Sequence, residues 1–222
     1  MLKPSTLHFL KNLKKHNTKT WFDENRSRYL DAKTDFENFT TELISHASVY
    51  DHSLKTLQAK DCTFRIHRDV RFSKDKTPYK TNMGAYLSTG GKKSIFGGYY
   101  FHLDAEGECF AGGGLWMPAG PELKKIRQEI DYCFADLSKI LKNPDFKKTY
   151  GQLQMEKSQM LARIPKGYDI DNPAAEYLKL KSFVATARIP EKELFKPGLV
   201  KNIVAKFKAL TPLVHFMNRA LE

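Results

Sequence analysis

The chain is predicted to be α+β: N-terminal helices, a central antiparallel β-meander, and C-terminal helices with at least one further strand. Three observations carry this. Apolar residues recur at helical spacing before residue 45 and again after Pro118. Between residues 63 and 117 they alternate with polar ones instead. Gly- and Pro-containing turns separate the alternating runs.

Taken in order, Ser5 is placed to cap a short helix with Leu7, Leu10 and Leu13 on one face. After the polar HNTKT break, Thr20 precedes a longer helix opening with Asp23 and Glu24. Phe22, Tyr29, Ala32, Phe36, Phe39 and Leu43 form its core stripe, with Trp21 and Phe22 read as anchors of that helix. Phe64, Ile66 and Val70 alternate with Arg65, His67 and Asp69 as in a half-buried strand. SKDKTPYK reads as a loop, because Pro78 has no N–H to offer a ladder and restricts Thr77. TNMGAYLS and YYFHLD are the next strands, and the AEGE turn leads into CFAGGGLWM. Pro121 suits a helical first turn, and the apolar positions from Leu123 to Leu141 predict a helix that Asn143-Pro144 ends. A polar helical stretch around 145–160, a turn at Pro165-Lys166-Gly167, a short helix over 173–181 and a strand SFVATARI follow. A last helix spans about 198–221, with a kink expected at Pro212. No internal repeat and no long linker interrupt the chain, so residues 1–222 are expected to form a single α+β domain.

With 222 residues and a formal charge of +12, the chain favours anionic partners. The excess is uneven: residues 61–100 carry 8 Lys and Arg against 3 Asp and Glu, whereas 101–150 carry 7 against 8. Cys62, Cys109 and Cys133 are widely spaced and form no CxxC pair, which argues against a disulfide framework and a structural zinc site. No run of 18 apolar residues and no signal-like apolar region occur, so a cytoplasmic protein with no membrane partner is expected.

The stretch 64–81, FRIHRDVRFSKDKTPYKT, concentrates the charge: Arg65, Arg68, Arg71, Lys74, Lys76 and Lys80 against Asp69 and Asp75. On a strand, Arg65, His67 and Asp69 share one face, which puts Arg68 on the apolar side with Ile66 and Val70. An unpaired guanidinium is costly there. Either the strand bends, or Arg68 is paired with a carboxylate or a ligand. Two outcomes are therefore open: an anion site built by Arg65, Arg68, Arg71, Lys74, Lys76, Tyr79 and Lys80, or an internal lattice neutralised by Asp69 and Asp75. His67 and His102 are candidate proton shuttles, and Asp104 shares a face with His102. Asp104, Glu106 and Glu108 flank Gly107 and read as a solvated acidic turn. Gly112-Gly113-Gly114 matches no phosphate-binding fingerprint and reads as a strand closely approached by a neighbour. No GxSxG or HExxH motif names a nucleophile or metal, and the cofactor stays unspecified.

The strings FRIHRDVRFSKDKTPYKTNMGAYLS, GYYFHLD, GGGLWMP and LARIPKGYDIDNPAAEYLKLKSF together resemble a widespread bacterial and fungal family of conserved hypothetical proteins, catalogued as a domain of unknown function. The resemblance runs from residue 9 to residue 221, departing from the usual form of the N-terminal turn at Thr18–Thr20. It implies a full-length domain of that family and brings no particular activity or cofactor. The favoured function is thus binding of a phosphorylated or carboxylated small molecule through the Arg/Lys cluster, enzymatic or not. One alternative is nucleic-acid binding, with Tyr79, Tyr86, Tyr99 and Tyr100 as a stacking platform. The other is a non-catalytic protein-interaction module.

Overall fold

A computed structural model describes residues 1–222. The helices are α1 (Pro4–Lys15), α2 (Lys19–Glu24), α3 (Arg26–Ala47), α4 (Ala59–Cys62), α5 (Gly120–Tyr132), α6 (Phe134–Lys142), α7 (Pro144–Tyr150), α8 (Ala175–Leu178) and α9 (Leu199–Arg219). The strands β1 (Asn82–Leu87), β2 (Gly98–Asp104), β3 (Phe110–Leu115) and β4 (Phe183–Arg188) make one antiparallel sheet in the order β1-β2-β3-β4. Helices at both ends of the chain and strands in its middle make the fold α+β. No helix is long and apolar enough to cross a membrane. The chain divides into two compact units. One comprises Met1–Lys92, Tyr100–Ala111 and Arg188–Ala205, the other Lys93–Tyr99, Gly112–Ala187 and Lys206–Glu222.

In the first unit, α1 begins at Pro4 with Lys3 as its N-cap, so Ser5 is not the cap. The Lys3 amide at this N-terminus is met from α3 instead: Asp35 Oδ2 accepts from the Lys3 N–H at 3.0 Å, and also from the Thr6 hydroxyl at 2.6 Å. A buried carboxylate at a helix N-terminus serves both an orphan amide and the helix dipole. The predicted long helix is two, because Asn25 leaves helical geometry and its side chain donates to the Trp21 carbonyl. The cap of α2 is Thr18, whose hydroxyl accepts from the Trp21 N–H, and not Thr20. The α3 stripe behaves as read: Phe36 and Phe39 pack on Phe101 of β2, ring centres 6.1 and 5.2 Å apart. The Asp104–Cys109 turn is less solvated than its charges suggest. Asp104 is buried and accepts from the Glu106 N–H, while Glu106 pairs with Lys14 and Glu108 with Arg188.

In the second unit the predicted 121–141 helix breaks at Cys133, where the backbone turns out of helical geometry. Arg219 of α9 holds Glu129 and Asp136 on either side of that break, at 2.5 and 3.0 Å. The polar stretch after Pro144 is helical only as far as Tyr150. Helix α9 continues through Pro212, and the hydroxyls of Tyr150 and Thr211 donate to the Lys206 and Phe207 carbonyls one turn earlier. Tyr99 is fully buried against Phe207 and donates to Thr211 Oγ1.

The glycine triplet is the closely approached strand that its sequence predicts. A Cβ on Gly112 would lie 2.2 Å from the Ala185 carbonyl oxygen, one on Gly113 2.1 Å from that of Gly98, and one on Gly114 2.1 Å from that of Phe183. Gly113 and Gly114 also adopt φ of +151° and +113°, which side chains rarely tolerate. A Gly113→Ala substitution adds strain to a backbone collision, and the expected cost is about 3 kcal/mol. Thermal denaturation should show a loss of roughly 6–12 °C; a melting temperature equal to wild type would mean the strands can part.

Candidate functional site

The basic stretch does not form a regular strand. Residues 63–68 lie antiparallel to 78–85 but touch only through isolated bridges, Thr63 with Ala85 and His67 with Tyr79. The Phe64 N–H donates to the Gly84 carbonyl, Arg68 to Pro78 and Lys80 to Ile66. This pairing leaves the N–H and C=O of Tyr79 pointing away from 66–68, and the side-chain amide of Asn17 takes both. Its Nδ2 donates to the Tyr79 carbonyl at 2.9 Å, and its Oδ1 accepts from the Tyr79 N–H at 3.1 Å. One asparagine thus stands where a further strand would pair. Phe22 lies flat on the Tyr79 ring, 4.0 Å between centres and 13° between planes. The N-terminal turn therefore clamps the basic arm from outside it.

Although the ladder is irregular, the predicted alternation of sides holds from Arg65 onward, while Phe64, expected on the buried side, is 41% exposed. Ile66 is buried and Arg68 and Val70 are half-buried, whereas Arg65, His67 and Asp69 are exposed. Arg68 on the apolar side is paired, as its position demands: its guanidinium donates to Asp75 and Thr77, and more distantly to Ser73 at 3.4 Å. Asp75 also accepts from the Thr77 N–H at 2.9 Å and the Thr77 hydroxyl at 3.0 Å. Arg71 meets Asp69 as a fork, 2.9 Å through Nε and 2.6 Å through Nη2. Lys76 Nζ donates to the Val70 carbonyl. Three of the six cations in this stretch therefore act inside the loop.

Arg65, Lys74 and Lys80 have no carboxylate partner. Lys80 sits half-buried with its ammonium 5.7 Å from the centre of the Phe64 ring. Burial, helped by nearby Arg65, pulls its pKa below the usual lysine value. Phe64 in turn meets Tyr100 edge-on at 6.3 Å, and Tyr100 meets Phe110 at 5.7 Å. The Tyr100 hydroxyl is 3.0 Å from His102 Nδ1, and the His102 ring stacks on Phe110 at 4.9 Å. Gly84 makes room for this row, since a Cβ there would lie 2.3 Å from the Tyr100 hydroxyl oxygen. Burial raises the Tyr100 pKa to about 12 and lowers that of His102, with Asp104 opposing the second effect. At neutral pH the pair is therefore a protonated phenol beside a neutral imidazole, an arrangement able to pass or hold one proton.

The other singled-out residues separate. Tyr79 is only 5% exposed and belongs to the support of the arm. His67 lies exposed, edge-on to Phe22 and Tyr79 at 5.8 and 5.3 Å, apart from the Tyr100–His102 contact set. Of the four tyrosines read as a platform, Tyr79 and Tyr99 are buried and Tyr86 and Tyr100 half-buried. No group of three or more His, Cys, Asp or Glu side chains is placed to hold a metal ion, and all three cysteines are free. Asn17, Gly84, Phe64 and Phe110 were missed as site residues. Only Gly84, a glycine inside a strand pattern, carried a local signal of close approach.

Two measurements check this geometry. Asn17→Ala leaves both polar groups of Tyr79 without their partner and should cost about 2 kcal/mol, seen as a fall of roughly 4–8 °C in melting temperature. An unchanged melting temperature would remove Asn17 from the support. The Asp75 carboxyl, held at about 2 by the Thr77 N–H and then by Arg68, lies below its ordinary 3.8. Its contribution to loop order is present above pH 3.8 and fades as pH falls towards 2. An NMR titration following the Asp75 carboxyl and the Arg68 Nε–H should place the midpoint near 2; a midpoint at the ordinary value would contradict the lattice.

Comparison with known proteins is consistent with the reading from sequence. Neither the curated proteins nor the solved structures contain a significant match. A family model described as "Conserved hypothetical protein (DUF2461)" matches residues 5–216. That span takes in the clamp at Asn17, the whole basic arm and the sheet, and the chain belongs to this DUF2461 family.

Proposed function

We propose that the chain binds a small phosphorylated or carboxylated ligand beside the aromatic row of the first unit, with Lys80 and Arg65 taking the anion. The observation that carries this reading is two neighbouring cations without an ion pair of their own; Asp69, whose charge reaches Arg65, is already forked onto Arg71. Lys80 is half-buried beside Phe64, where burial and then nearby Arg65 disfavour its charge. An anion placed between them removes that repulsion and supplies the missing partner. Arg68 and Arg71, committed to Asp75 and Asp69, serve to shape the arm. Phe64, Tyr100 and Phe110 offer ring surface for the body of the ligand. The Tyr100–His102 pair supplies a hydrogen-bond donor and a neutral base, the two groups a proton transfer on the bound ligand would need.

Thermal-shift titration with inorganic phosphate, citrate and a mononucleotide tests the reading. A probe at about 100 times its Kd stabilises by about 2.7 kcal/mol, a rise of roughly 5–10 °C. Lys80→Gln should abolish that rise while melting within a few degrees of wild type without ligand. If all three probes leave the wild-type melting temperature unchanged, or Lys80→Gln responds as wild type does, the proposal fails.

A further inference from the structure

The tip of the basic arm has a property that a small-ligand site does not use. Phe72 is 96% exposed, the most exposed of the large apolar side chains. Nothing about the loop makes this a by-product of slack chain. Arg68 ties together Asp75, Thr77 and Ser73, Asp69 forks onto Arg71, and Lys76 closes back on the Val70 carbonyl. The Ser73 N–H adds a turn bond to the Val70 carbonyl. Eight residues thus hold one another in place around a phenyl ring left in water. The Arg71 guanidinium stands 5.9 Å from the centre of that ring, and Lys74 beside it has no carboxylate partner. The same pairing of cation with exposed ring recurs in the arm at Lys80 and Phe64, where Phe64 is 41% exposed.

We infer that the loop 69–77 is a docking element for single-stranded nucleic acid. A base stacks on the face of Phe72 not occupied by Arg71, and Lys74, Lys76 and Arg65 contact phosphates. Repeated ring-and-cation pairs on a basic scaffold are the means by which unpaired strands are held without reading sequence. A bilayer is a poorer occupant. Burying Phe72 in hydrocarbon would draw in Arg71 with its bound Asp69 carboxylate, and Asp75 faces the same anionic surface. A duplex is poorer too, because its bases already stack on one another. The inference shares Arg65 with the Lys80 ligand site, but the ring it needs, Phe72, is absent from that site.

Fluorescence anisotropy of a labelled oligothymidylate and an oligouridylate reads the result. Wild type should bind with a log–log salt slope of about −2, as three phosphate contacts on a single strand give. Phe72→Ala should weaken binding roughly 5- to 100-fold with no change in melting temperature, since the ring has nothing folded around it. Lys74→Gln with Lys76→Gln should flatten the slope by about 1.4. Three results would overturn the inference: no binding at low salt, equal binding by Phe72→Ala, or Phe72-dependent binding to phosphatidylserine vesicles without binding to either oligonucleotide. Loss of the phosphate-induced thermal shift with Phe72-dependent oligonucleotide binding retained would count against the ligand site alone.

Discussion

Strand β3 has no room for side chains at its centre, and much of the molecule's design follows from that. At Gly112, Gly113 and Gly114 neighbouring main-chain oxygens occupy the space of a Cβ, alternately on the β4 side and the β2 side. Such closeness is available only to glycine, and it lets the sheet bring its strands together without side chains between them. The same economy reappears at Gly84, where absence of a Cβ admits the Tyr100 hydroxyl. Rings then gather where glycines have cleared space, so that Phe64, Tyr100, His102 and Phe110 form one contiguous set. The opposite parity of β2 is spent on packing, with Tyr99, Phe101 and Leu103 fully buried.

Charge is handled locally in the same chain. A formal +12 invites the picture of a broad positive surface, yet in the densest stretch two carboxylates take up two arginines and a main-chain carbonyl takes up a lysine. What is left without a carboxylate partner is a smaller set, Arg65, Lys74, Lys76 and Lys80, with Lys80 placed beside the Phe64 ring. The surface offered to a partner is therefore mixed, with ring faces and isolated cations alternating. Selectivity in such a surface comes from the shape of the partner as much as from its charge.

How far the sequence could be read depended on the range of the interaction concerned. Period-two alternation correctly assigned sides to Ile66, Arg68 and Val70, because sidedness is set by neighbouring residues. It also identified Arg68 as a charge in need of a partner, with Asp75 among the two carboxylates available. What alternation could not reveal was that the ladder there is broken, since the partner of Tyr79 is Asn17, 62 positions away. Helix existence was legible from the apolar stripes of α1, α3 and α9. Their ends were less so: the Lys3 amide at the start of α1 is met by Asp35 from another helix, the break at Asn25 comes with a side-chain bond to the Trp21 carbonyl, and that at Cys133 is a turn of the backbone, none of which a local pattern announces. The anion site was read as one cluster of cations because charge density is visible in a sequence, whereas the internal pairing of Arg71 with Asp69 needs a loop geometry to be seen.

The bracing of residues 68–77 also has a bearing on time. A loop that must find its shape on meeting a partner loses configurational entropy in that step and associates slowly or in stages. Here the ordering is complete at folding, through bonds that involve only the loop's own residues. For the docking inferred at this tip, collision in the right orientation would be sufficient for capture, with arrival governed by diffusion and long-range attraction, and residence by the contacts at the tip. Fast exchange, with many short visits in place of one long one, is the behaviour that a rigid, shallow and self-contained projection imposes.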